Sequence, residues 1–548
     1  MILTCQDQTL ELQDGITGLE CLKAFGCGDI SSLALVHNQH LMELDESVRG
    51  DGTIRPVTLQ EPEGRRIYER SIRYVLLMAM EKVFPGQQVR FEYSVRNGIL
   101  LRLPGHPLSS QDVKLLKESM LDFIRQDLPF EKQMWKTQDA SAYFGDKGQK
   151  DKVQLLRYRP LPMIRMYGCG GIWEYFYGIM VPSTGYVPVF DLLLHGTSLI
   201  LLLPNSEYTR EPAPYIERPH LMETFSQSAR WCSILGVNNV SDLTRLMERR
   251  ELRSFIRVNE ALHDHALVDC AREIATRRKR IVLVAGPSSS GKTTFAGRLA
   301  IQLQVLGYKA HRISLDNYYL NRDQIPREKD GSMDLEHIRT LDLDLLQKQT
   351  LDLLKGRKVE IPEFSFRTGR REKRGNMIQL ADQDIVIFEG IHALNPMLSE
   401  GMPEPSIYRI FVSDLTCLNL DDHNRIRTTD MRLLRRIVRD WKFRGTSPEE
   451  TLAMWPSVRR GEETWIFPYQ EMADTFFNTT LHYELPVLRH FAYGLLEHPD
   501  PDWEGYLLAM RLKKTLNYIP DIDENILSEI PPLSLLREFI GGSTMDLT

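Results

Sequence analysis

Between Ile281 and Thr294 the chain reads IVLVAGPSSSGKTT, five strand-favouring apolar residues followed by Gly286, four small residues, Gly291, Lys292 and Thr293. A backbone that turns its N–H groups inward around a phosphate needs conformations that a Cβ obstructs, and glycine at both ends of the turn supplies them. In this P-loop reading Gly286, Pro287, Ser288, Ser289, Ser290, Gly291 and Thr294 surround the phosphates of a nucleotide. Lys292 reaches the β- and γ-phosphates, and the Thr293 hydroxyl holds Mg²⁺. Two carboxylates follow at strand-like ends. Asp316 closes HRISLDNYY (311–319) and Glu389 closes DIVIFEG (384–390). Ligands of a parallel α/β sheet gather at the carboxyl ends of its strands, so both acids are expected beside the phosphates. Asp316 is there the base that takes a proton from an attacking hydroxyl, and Glu389 a ligand of Mg²⁺ or its water shell. An Asx turn is the structural alternative for Asp316. His392, just past Glu389, is a possible substrate contact and is not counted as catalytic.

The third constellation is basic. From Arg425 to Arg460 nine arginines and Lys442 meet only Asp430, Asp440, Glu449 and Glu450. Arg432, Arg435, Arg436 and Arg439 recur at helical intervals among Leu433, Leu434, Ile437 and Val438, which predicts an amphipathic helix with one guanidinium face. Beside a P-loop such a face is expected to close over ATP as a mobile lid that excludes water, with Arg435 on ATP and Arg436 and Arg439 on the charge of the transition state. Solvated surface and an RNA contact are its alternatives.

These residues need a parallel sheet to hold them. Strands are expected at 281–285, 311–315 and 384–389, with a helix after the P-loop carrying Phe295, Leu299, Leu303 and Leu306 and stopping at Gly307. The catalytic half is therefore read as α/β, a doubly wound parallel sheet with helices on both faces. Further forward, helices are predicted at 66–84 and 110–125, strands and turns at 173–203, a linker at 205–220, and one continuous helix at 242–280. With 548 residues the chain divides into several domains, and its 42% hydrophobic and 26% charged residues are those of a globular protein. The formal charge of −6 argues against bulk attraction to nucleic acid or anionic lipid. Seven scattered cysteines without a CxxC pair read as reduced thiols, and no run approaches the length of a membrane span, so a cytoplasmic protein is expected.

Three phrases in the front part, Glu61-Pro62-Glu63-Gly64, Asp127-Leu128-Pro129-Phe130-Glu131 and Val181-Pro182-Ser183-Thr184-Gly185, resemble the front end of threonyl-tRNA synthetases. That resemblance implies an α+β front: a TGS-like, β-rich domain at 1–62 and an editing-like domain at 63–205. A linker and helical segment would follow at 206–275, then the P-loop domain at 276–500 and a tail at 501–548. The family edits with an HxxxH pair and a later Cys and His; here the matching positions are Arg70, Tyr74, Phe176 and Met180, none able to do that work. What remains is a module for assembly into a homo-oligomer, for binding RNA, or for binding a ligand.

GPSSSGKTT, SLDNYY, VIFEGIHAL and RLLRRIVRDWKFRG together resemble the uridine kinase and phosphoribulokinase family, in order and spacing. The resemblance implies ATP and Mg²⁺ as cofactors, Lys292 and Thr293 on them, Asp316 as base, and substrate contacts from Asp316, Tyr318, Tyr319, Asp334, Phe364, Arg432 and Arg444. The pattern is broken after Ile361-Pro362, where uridine enzymes have a tyrosine and then a histidine. This chain has Phe364 and Gly369, and adds Arg367, Arg370 and Arg371. The expected activity is transfer of the γ-phosphate to a hydroxyl of a small metabolite, foremost the 5′-hydroxyl of uridine or cytidine. A sugar or sugar phosphate acceptor and an RNA-associated NTPase switch stay open. No NKxD-type guanine-reading phrase is present.

Overall fold

The computed structural model describes residues 1–159, 161–325, 334–365, 367–372, 375–497, 499–500, 503 and 505–545. Its catalytic sheet is built from five parallel strands: β1 (Ile281–Ala285), β2 (Ala310–Ser314), β3 (Ile385–Glu389), β4 (Ile407–Ser413) and β5 (Thr475–Asn478). They lie in the order β2-β3-β1-β4-β5. The continuous apolar runs follow from burial of both faces. On one face Val282 and Val284 pack on Phe295, Leu299 and Leu303 of helix α1 (Lys292–Val305) and on Leu267 and Ile274 of the helix Leu252–Thr276. On the other, Ile281, Leu283 and Ala285 meet Leu346 and Leu353 of the helix Leu343–Leu354. The register sets Val284 and Ser314 on either side of Glu389, so three strands finish together at the edge where chemistry is expected.

Ahead of this sheet, residues 2–57 form a five-stranded mixed sheet with one short helix, Gly18–Ala24. The helix Pro62–Val83 then runs through a core shared with a four-stranded and a three-stranded antiparallel sheet. The synthetase-like phrases dock on one another: Thr184 Oγ1 accepts from the Leu128 amide at 2.9 Å, and the Asp127 carboxylate accepts from the Gly185 amide at 3.0 Å. The four altered editing positions are filled. Tyr74 is fully buried and donates to the Ile172 carbonyl at 2.7 Å, Arg70 donates to the Ile179 carbonyl, and Phe176 and Met180 are core residues. The single helix expected over 242–280 is instead two, Val240–Glu248 and Leu252–Thr276, broken where Arg250 takes a φ of 60°. All seven cysteines are free thiols. No described helix is long and apolar enough to cross a membrane.

Candidate active site

The P-loop leaves β1 and enters α1 through Gly291, whose φ of 85° is the left-handed conformation that favours glycine. Gly286 is required for a different reason: a Cβ there would lie 2.0 Å from the Val412 carbonyl oxygen. Ser289 also takes a positive φ, 60°. Among the described residues the buried hydroxyls of Ser289 and Ser290 have no hydrogen-bond partner, and this unmet capacity fits an oxyanion in the loop. Lys292 Nζ donates to the Pro287 carbonyl at 3.1 Å, folded back across the loop. The Thr293 hydroxyl lies 3.4 Å from Glu389 Oε1, so two oxygens suited to Mg²⁺ stand side by side.

Asp316 follows β2 in a short 3₁₀ turn (Leu315–Tyr318), its amide bonded to Ser314 Oγ at 3.3 Å. Its side chain is exposed. Desolvation by the surrounding protein raises its pKa, against the pull of Lys292, Arg444 and Arg439. Glu389, 9% exposed, is pushed up to about 7, first by burial and then by Asp316. Burial likewise holds Lys292 below the usual ammonium range, while Glu389, Glu538 and Asp316 oppose it. The three groups thus sense one another at the ends of adjacent strands.

The arginine helix α2 (Thr428–Arg439) is not an exposed lid. Both its faces are buried, and most of its guanidinium groups are paired. Arg435, expected on ATP, is 0% exposed and committed to other partners, bonded to Glu484 at 2.5 Å and to the Thr479 carbonyl at 3.0 Å. Arg432, expected on substrate, is also buried. It donates to the Ser288 carbonyl at 3.0 Å and forks onto Glu462, so it braces the loop from behind. Arg436 does reach the loop, donating to Ser288 Oγ at 2.8 Å. Arg439 and Arg444 meet at Asp440, and both act on Asp316.

A family model described as phosphoribulokinase / uridine kinase family matches residues 281–484. The uridine kinase of Macrococcus caseolyticus is 30% identical over 195 residues, which are 35% of this chain and 85% of that kinase. The chain belongs to the phosphoribulokinase/uridine kinase family. The uridine kinase of Ureaplasma urealyticum is 27% identical over 178 residues, 32% of this chain and 77% of the relative. The front part has a different kinship: the threonine–tRNA ligase of Granulibacter bethesdensis is 29% identical over 166 residues, 30% of this chain and 26% of the ligase. The chain therefore spans about a quarter of the length of that ligase.

The acceptor side of this kinase-family site is partly as the sequence implies. Tyr319 and Phe364 stand together, ring centroids 5.6 Å apart, beside Asn317, which accepts from the Phe364 amide at 3.4 Å. Tyr318 does not join them. It is 0% exposed and donates to Gln349 at 2.8 Å inside the core. Arg371 is likewise committed to structure, held by Asp342 at 3.0 Å and by the carbonyls of Tyr319 and Tyr318. Asp334 accepts from the Glu336 amide at 3.0 Å in a local turn; Ser332 and Met333 of its phrase lie outside the described residues. His392 is 1% exposed and kept neutral by burial, its pKa down to about 3.

Three acids at the loop have no counterpart in the sequence reading. Glu462, on helix α3 (Pro448–Trp465), accepts from the Ser288 amide at 3.1 Å. Glu336 is pushed up to about 7 by burial and by Glu462. Glu538, from the tail, accepts from Thr294 Oγ1 at 2.6 Å and from the Thr294 amide at 3.3 Å, taking one of the free N–H groups at the start of α1. Leu535 seals the same place, where a Cβ on Gly291 would meet it at 2.6 Å. The one sequence signal for Glu538 is an acid set in the apolar run Leu535–Ile540.

Proposed function

We propose that the protein is an ATP- and Mg²⁺-dependent kinase that phosphorylates a hydroxyl of a small metabolite, foremost the 5′-hydroxyl of a nucleoside such as uridine or cytidine. The observation that carries this reading is the convergence of Asp316, Lys292 and Glu389 on the P-loop at the carboxyl ends of β1, β2 and β3. The loop amides and the Ser289 and Ser290 hydroxyls would hold the phosphates, and Thr293 with Glu389 the metal. When bound, ATP supplies the phosphoryl group and Mg²⁺ offsets its charge. Asp316 accepts the proton of the attacking hydroxyl, and Lys292, Arg444 and Arg439 favour its charged form. Lys292 and Arg436 stabilise negative charge at the loop. The Tyr319 and Phe364 rings offer flat walls for a base.

Gly369 brings no polar group to the edge of such a base, so hydrogen-bond discrimination there is weaker. That favours, as a second reading, a sugar or sugar phosphate acceptor drawn by the exposed Arg370. Incubation of the pure protein with γ-labelled ATP and a panel of nucleosides and sugar phosphates tests both. Label on a nucleoside supports the first reading, and label on a sugar phosphate supports the second. Label found only as free phosphate, with RNA hastening its release, overturns the kinase reading in favour of an NTPase switch.

A further inference from the structure

Where the helix Pro62–Val83 faces the segment leading into α2, the two halves of the chain enclose a cavity of about 80 Å³. Six guanidinium groups line it: Arg66, Arg70 and Arg73 from successive turns of the helix, Arg425 and Arg427 from the segment, and Arg511 from the C-terminal region. Three carboxylates answer them. Glu69 pairs with Arg427 and, at 3.3 Å, with Arg73; Asp430 pairs with Arg511; Glu63 pairs with Arg66 and lies 3.9 Å from Arg511. The lining therefore holds three positive charges more than its acids neutralise.

The surplus falls on identifiable groups. Among the described residues Arg70 has no carboxylate partner and donates only to the Ile179 carbonyl. Within the same residues Arg425 has only neutral acceptors, the Ser94 hydroxyl at 2.8 Å and the Glu92 carbonyl at 3.4 Å. Arg73 is 5% exposed, and its Nε–H has no acceptor among the described residues. Burial first, with neighbouring cations, holds Arg66, Arg70 and Arg425 down to about 10 against the pull of Glu63 on Arg66 and Arg70 and of Glu69 on Arg425, which leaves them charged at neutral pH. Unmatched buried charge is costly, and a guanidinium does not relieve it by losing its proton. The adjacent cavity of about 110 Å³ shows no such imbalance, since its Lys152 is bonded to both oxygens of Glu174 at 2.5 Å and to His423 at 2.8 Å.

The surplus asks for an anion, and the forked donors ask for one with several oxygens. At about 10–15 Å³ for each water, the cavity has room for a compact oxyanion and little else. It opens past Arg427, 31% exposed, and past the Glu69–Arg427 pair onto a crevice of about 630 Å³ that shares both residues. That is the size of a small-molecule site, and it lies at a seam between domains where such sites concentrate. We propose that this cavity binds a phosphate group, free or as the monoester of a small metabolite. The site is independent of the kinase reaction but mechanically joined to it. Arg427 is the N-cap residue of α2, the helix whose Arg432 and Arg436 hold Ser288 of the P-loop.

The test is calorimetric titration of inorganic phosphate, at constant ionic strength, into full-length protein whose P-loop is saturated with a non-hydrolysable ATP analogue and Mg²⁺. One equivalent is expected to bind, with affinity unchanged in Lys292→Ala and about tenfold or more weaker in Arg70→Gln and in Arg425→Gln. The same titration with uridine 5′-monophosphate and ribose 5-phosphate separates the sources: binding of either that is tighter than that of phosphate and is lost in the Arg70→Gln, Arg425→Gln double variant assigns the ester, and weaker binding of both assigns the free anion. Absence of binding to the wild-type protein, its loss in Lys292→Ala, or its persistence in the Arg70→Gln, Arg425→Gln double variant overturns the proposal. Should those variants not fold, a crystal of the wild-type protein soaked in tungstate decides, since an anion elsewhere but not on these guanidinium groups overturns it too.

Discussion

Replacing Glu389 with glutamine should make the ligand-free protein more stable, by an amount that grows as pH rises from 4.5 to about 7. In the native state Glu389 is raised from the usual 4.5 to about 7, chiefly by burial and then by Asp316. The sign follows from proton binding. Below 4.5 the carboxyl is protonated in both folded and unfolded chains and costs nothing; between 4.5 and about 7 the native state binds more protons than the unfolded one, so stability falls as pH rises. Above about 7 the full loss is present. At about 1.4 kcal/mol for each pH unit of displacement, that loss is about 3–4 kcal/mol. Glu389→Gln keeps the shape and an acceptor for Thr293 while removing the charge, so it should recover most of this at pH 8 and none at pH 4.5. The assay is urea unfolding of both proteins across that range without nucleotide, following the transition that an ATP analogue shifts, because the chain has several domains. Mg²⁺ with the analogue should reverse the order at pH 8. An equal difference at pH 4.5 and pH 8, or a variant less stable at pH 8, refutes the reasoning.

Asp316→Asn should bind an ATP analogue normally yet lose phosphoryl transfer by about 10²–10⁴-fold, and unchanged turnover would remove Asp316 from the mechanism. Glu538→Gln takes a negative charge from the Thr294 amide, where phosphate oxygens belong, and should tighten ATP binding by about tenfold; equilibrium binding that is equal or weaker contradicts this. Arg432→Ala removes one of two guanidinium partners of Glu462, 0% exposed, leaving Arg459, and should destabilise the catalytic half by about 1.5–3 kcal/mol, read from the same nucleotide-sensitive transition. If Arg432 served substrate instead, stability would hold and only KM would rise.

What was legible in the sequence was what is encoded over short spacing. The P-loop, Asp316 and Glu389 could be placed because each ends an apolar run, and parallel strands carry their ends to one edge. Helical period found the arginine helix, but a period names a face without naming what meets it. Arg435 and Arg436 are adjacent, and one turns to Glu484 while the other reaches Ser288, a choice made by residues 49 and 148 positions away. Tyr318 and Tyr319 part in the same way, since successive residues of a tight turn point in different directions. The break at Arg250 carries no glycine or proline to announce it. Glu462 and Glu538 escaped notice because their partners are distant in the chain.

The contact of Glu538 with Thr294 bridges 244 residues. At a synthesis rate of about 5–20 residues per second, the P-loop leaves the ribosome roughly 12–50 s before the segment that covers it. During that interval the rim of the phosphate cradle is bare. A nucleotide in the cell thus meets the nascent loop before Glu538 does, and the segment Arg537–Ile540 docks onto a site that can already be filled.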